Sequence, residues 1–285
     1  MRALLVLFIT WVAVAPANLT TAHAAQANRV SVSYELPKNS AHKPIYDQLK
    51  AVGFLEKLQE FLSPFRLPHS LLVKVQGCDG DANAFYDENV ITICYEYIEQ
   101  LRKTMPAQTT PTGVTPDDSV VGPLFDTCLH EFGHALFDML QIPVFGREED
   151  AADQMSAFII LELRKDEARR LIGGIAYAYK TEAEAVTAPP PMTAFANEHS
   201  TPAQRFYNVL CMAYGADKKS FGYIVDGGYL PKERAEYCED EYEQVEYAYE
   251  KLVEPHVDVR RAKKEFDMSW LASTGIAATG EGRHL

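Results

Sequence analysis

Past its first residues the chain has no uncharged apolar run of the roughly 20 residues that a membrane-crossing helix needs. Basic residues are also in deficit, 27 Lys and Arg against 40 Asp and Glu, giving a formal charge of −13. That balance opposes nucleic acid and anionic membrane surfaces as partners. No segment repeats, which excludes a solenoid or other repeat array. Cysteine is scarce, at 5 in 285 residues, and an odd number cannot all pair.

The beginning of the chain reads as a signal peptide at 1–24. Arg2 precedes an apolar run from Ala3 to Ala15 and a small-residue cleavage site at Ala22-His23-Ala24. Export to the periplasm or beyond permits disulfides. Cys78 and Cys94 flank an expected hairpin, and Cys211 and Cys238 flank a loop between helices, so local pairs Cys78–Cys94 and Cys211–Cys238 are geometrically reasonable. Cys128 is left over, two residues before His130 and about 200° around a helix from it, as a small buried apolar residue.

Periodicity divides the chain in two. Val30–Tyr34, Leu71–Val75 and Val90–Cys94 read as strands and Ile45–Leu62 as a helix. From Asp118 onward helices dominate, at Val120–Leu140, Arg147–Leu163, Pro202–Tyr214 and Pro231–Leu252, with Pro189-Pro190-Pro191 as a linker. The expectation is an α+β fold with an α/β lobe at 25–145 and a helical lobe at 146–285, whose end from Ser273 is small and polar.

The segment His130-Glu131-Phe132-Gly133-His134 matches H-E-x-x-H. Histidines four apart share one helix face, so both can reach one tetrahedral ion, while Glu131 leans over its open side. Gly133 costs about 1 kcal/mol in mid-helix relative to alanine and makes sense where another segment approaches closely. A third ligand is expected downstream, where Glu149 and Asp153 stand as E-x-x-x-D on a second helix. Glu149 is then the metal ligand, with Glu148 as its fallback, and Asp153 accepts the distal N–H of a ligand histidine.

Through HEFGH at 130–134, EDAAD at 149–153, NAFYD at 83–87 and EHSTPAQRFYNVLC at 198–211, the sequence resembles the gluzincin zinc peptidases. It is similar above all to an uncharacterised bacterial family of secreted metallopeptidases. The resemblance implies a zincin-like fold with an edge strand over the zinc helix, and a Zn2+ ion on His130, His134 and Glu149. It also implies that Asn83 and Ala84 lie on the edge strand that pairs with an extended peptide substrate, and that His199 or Arg205 faces the oxyanion. The interval from His134 to Glu149 is shorter than in thermolysin, so detailed lobe geometry does not transfer.

The expected activity is that of a secreted zinc metalloendopeptidase with Glu131 as general base and a zinc-activated water as nucleophile. The alternatives are a non-catalytic zinc- or peptide-binding envelope protein, and a zinc hydrolase acting on other bonds such as cell-wall cross-links.

Overall fold

The alternating residues Val30–Tyr34 form strand β1 in the computed structural model, which describes residues 29–186 and 188–267. The expected signal peptide and the tail from Ser273 lie outside the described residues. After β1 come α1 (Lys43–Val52), α2 (Phe54–Leu62), β2 (Leu71–Gln76), β3 (Ala84–Asp87), β4 (Val90–Cys94) and α3 (Tyr95–Thr104). The helical part comprises α4 (Asp118–Leu140), α5 (Glu148–Leu161), α6 (Lys165–Ala185) and α7 (Pro202–Ala216). Three one-turn helices follow, α8 (Lys218–Phe221), α9 (Tyr223–Asp226) and α10 (Lys232–Ala235), and then α11 (Cys238–Leu252) and α12 (Val259–Phe266). The fold is α+β, with a small sheet in the N-terminal part and a mostly helical C-terminal part.

Among the described residues the strands make one sheet in the order β1-β2-β4-β3. β1, β2 and β4 run parallel, while β3 is antiparallel to β4 and has a neighbour on one side only. β2 alternates buried and half-buried residues, whereas β4 is buried almost throughout, as suits a strand covered on both faces. Glu88 and Asn89 join β3 to β4 with φ of 44° and 69°, the two positive values that a type I′ hairpin turn requires. That turn fixes the register at Asp87 opposite Val90 and Ala84 opposite Ile93.

Two expected helices are broken. Ile45–Leu62 is α1 plus α2, because Gly53 between them takes a left-handed φ of 62°, a conformation that costs glycine little. Pro231–Leu252 is α10 plus α11, separated at Glu236 and Tyr237. Helices α3, α6 and α12 had no counterpart in the sequence reading.

α4 is the central element and is buried along nearly all its length. Its first turn is tied to α6 by Arg170, which donates to the buried Asp118 through Nε and an Nη nitrogen at 2.9 and 2.6 Å. Further along, α5 meets α4 at Gly133. A Cβ there would come within 3.3 Å of the Ala152 Cα, so the missing side chain lets the two backbones approach.

Disulfides join Cys78 to Cys94 and Cys211 to Cys238, and Cys128 is a free, buried thiol. Non-reducing peptide mapping should recover these two pairs, and Cys128 should react with an alkylating reagent only after unfolding. A bridge containing Cys128 would contradict this arrangement. No helix among the described residues is long and apolar enough to cross a membrane.

Candidate metal centre

His130 and His134 project from one face of α4, with ring centroids 4.9 Å apart and Nε2 atoms 3.2 Å apart. The contact at Gly133 brings the first turn of α5 alongside, where Glu149 sets Oε2 at 3.0 Å from His130 Nε2 and 3.4 Å from His134 Nε2. Three donor atoms thus form a nearly equilateral triangle. With zinc about 2.0–2.1 Å from each donor, the edges of a tetrahedral site are about 3.3–3.4 Å, close to those seen.

The outer nitrogens support the same orientation. His130 Nδ1 lies 2.8 Å from Asp153 Oδ1, and His134 Nδ1 lies 2.8 Å from Glu148 Oε1. Each carboxylate accepts the Nδ1 proton, leaving both neutral rings with Nε2 lone pairs aimed into the triangle. Two lone pairs and a carboxylate oxygen converging on one point repel unless a cation lies between them, so the donor set fits a divalent ion.

The electrostatics agree. Burial works against a charge on His130, but Asp153 and Glu149 outweigh it and push the ring up to about 10. His134 is raised too, as Glu149 and Glu148 outweigh its burial. Glu149 is held far below the usual carboxylate range by the neighbouring rings of His130, His134 and His199. These carboxylates draw positive charge into the pocket, and a bound cation answers the same field as ring protonation.

The triangle opens on a cleft of about 570 Å³ lined by Asn83, Ala84, Glu131, His134, Glu149 and His199 among others. Asn83 and Ala84 therefore border the cleft at the free edge of the sheet. Glu131 is only 7% exposed, and burial raises its pKa, opposed by His130 and His134. The Tyr86 main chain also works against that rise.

His199 precedes α7 and is half exposed, with Nε2 at 2.8 Å from Glu149 Oε2 and its ring stacked on His130 at 5.9 Å. Two neighbours hold its segment in place. Ser200 Oγ donates to Asp150 at 2.6 Å, and the His199 N–H donates to Asn197 Oδ1 at 2.9 Å. His130, Glu149 and His199 each offer one donor atom, all within 4.8 Å of one another.

Arg205 faces Asp153 and Tyr179. Its guanidinium sits behind His130, donating to both Asp153 oxygens at 2.7 and 2.5 Å and stacking on Tyr179 at 4.5 Å. It is not among the residues lining the cleft. Asp153 is consequently held low, since His130 and Arg205 outweigh the effect of its burial. Beyond Arg205, the Asp126 carboxyl is raised by burial and by Asp153, and it accepts hydrogen bonds from Ser156 and Tyr179.

By sequence Glu148 stands only as a substitute for Glu149, and its contact with His134 emerges from the folded chain. Its place beside Glu149 at the head of α5 was the available signal. Neither a curated protein nor a solved structure matches the chain. The family described as "Putative metallopeptidase" matches residues 34–253, most of the sequence, and the chain belongs to that metallopeptidase family.

Proposed function

We propose that the protein is a zinc-dependent peptidase acting on extended peptide segments in the periplasm or outside the cell. The observation that carries this reading is the triangle of His130 Nε2, His134 Nε2 and Glu149 Oε2, with edges of 3.0–3.4 Å, opening on a cleft beside a free sheet edge. Zinc held there would supply a Lewis acid for the scissile carbonyl and lower the pKa of water. The chain's own residues do the rest.

The free edge of β3, at Asn83 and Ala84, offers main-chain groups to an extended peptide by β-augmentation. Glu131, next to the ligands on α4, accepts the proton of the attacking water and passes it to the leaving amine nitrogen. His199 stands at the open side and donates from its ring to the developing oxyanion. Asp153 fixes the His130 tautomer, and Arg205 acts one step removed by holding Asp153 ionised and in place.

Metal binding ranks the acidic residues. Glu149→Ala should lose zinc, as should His130→Ala and His134→Ala. Glu148→Ala should keep the ion with affinity lowered about 10–100-fold, the usual cost of losing an outer partner. Competition titration with a chelating dye separates these outcomes. Zinc loss with Glu148→Ala but not with Glu149→Ala would exchange the two roles.

A non-catalytic protein with a closed metal site has one observation in its favour, the 2.8 Å approach of His199 Nε2 to Glu149 Oε2. A fourth protein donor would leave no open position. Metal analysis with a peptide-hydrolysis screen, run beside Glu131→Gln, decides between the readings. Zinc with no Glu131-dependent hydrolysis of any peptide supports the closed site.

A further inference from the structure

One contact at the cleft has no part in the scheme above. Tyr86, in the edge strand β3, donates its hydroxyl proton to Asp138 Oδ2 at 2.7 Å. Asp138 is on α4, one helical turn beyond His134 and two beyond His130, so this bond ties the sheet edge to the helix that carries both histidines. Both residues line the cleft.

The hairpin register orients the Tyr86 main chain. Cys94 donates its main-chain N–H to the Asn83 carbonyl at 3.0 Å. In an antiparallel pair such bonded positions alternate, so Asn83, Phe85 and Asp87 turn their main-chain groups toward β4. Those of Ala84 and Tyr86 turn toward the open edge.

We propose that Tyr86 is a positioning residue, its hydroxyl anchored on Asp138, holding the edge of β3 at a fixed height over α4. This rests on the peptidase reading. The substrate lies along β3 while the base and the ligands are on α4. The height of one above the other therefore sets where the scissile carbonyl falls relative to Glu131. A misplacement of about 1 Å at a reacting centre can cost about 10²-fold in rate, and one hydroxyl is the side-chain bond that prevents it here.

The test uses the full chain loaded with zinc, as Tyr86→Phe, Asp138→Ala, the double variant, and Asp138→Asn, which keeps an acceptor oxygen. Each of the first two should lower kcat for an extended peptide by about 10- to 100-fold, with zinc content unchanged. The double variant should be no worse than either single, because both remove the same bond. Asp138→Asn should recover most of the loss. If the singles multiply in the double variant, or kcat per zinc-loaded folded molecule stays at the parent value, the positioning role is wrong. Amide hydrogen exchange across 84–87 gives a readout that needs no turnover, and it should accelerate in Tyr86→Phe and Asp138→Ala. A parent without peptidase activity overturns the peptidase reading, and unchanged exchange in both singles overturns the anchor.

Discussion

Replacing Glu131 by glutamine is expected to lower kcat by about 10²–10⁴-fold while zinc content stays at the parent level. Glutamine has nearly the same shape and keeps an acceptor oxygen, so the cleft should be preserved. It cannot take a proton from water. Because Glu131 is not one of the three triangle donors, the metal should remain, and the defect should fall on the chemical step. Stability should hold or rise, since the change removes a buried carboxylate facing the charge of Glu149. A glutamine variant that cleaves peptides like its parent would exclude Glu131 as the base.

Replacing His199 by alanine should lower kcat by about 10²–10³-fold and leave KM and zinc affinity nearly unchanged. A donor that meets the oxyanion contributes mainly in the transition state. The closed-site reading makes the opposite forecast, because loss of a fourth donor would weaken zinc binding and open a position for water. The two are separable in one variant by pairing a chelator titration with steady-state kinetics. A merely structural His199 would instead lower the melting temperature and leave kcat per folded molecule intact. The segment has other support in Ser200, whose hydroxyl is held by Asp150, and in the capping box of Thr201 and Gln204 that starts α7.

Much of this site was legible because its parts are local. His130 and His134 share a helix face by spacing alone, and Glu149 with Asp153 repeats that spacing on the next helix. Gly133 drew attention as a mid-helix glycine, and the reason is Ala152 of α5 lying against it. What the sequence could not place depends on distant packing. The Tyr86 to Asp138 bond spans 52 positions, and Arg205 reaches Asp153 only because α7 packs on α5. Helix α6 escaped detection for a physical reason. Gly173 and Gly174 lie inside it and lower its helical propensity, and Gly174 does so where it packs closely on Asp118 and Gly122 of α4. The break at Gly53 was missed because apolar spacing continues across it.

The two-residue turn at Glu88 and Asn89 makes the rim of the cleft a matter of odd and even positions. With two residues in the turn, the even-numbered Ala84 and Tyr86 address the cleft through their main chain, while their odd-numbered neighbours are committed to β4. A one-residue slip of β3 along β4 would reverse the parity. Ala84 and Tyr86 would bond to β4, Asn83 and Phe85 would take over the rim, and every β3 side chain would change sheet face. The triangle of His130, His134 and Glu149 on α4 and α5 would be untouched. A chain of this family whose β3 is paired one residue out of this register would thus keep the His130, His134 and Glu149 triangle and present a different cleft rim, a change that comparing the HExxH and ExxxD motifs alone would not reveal.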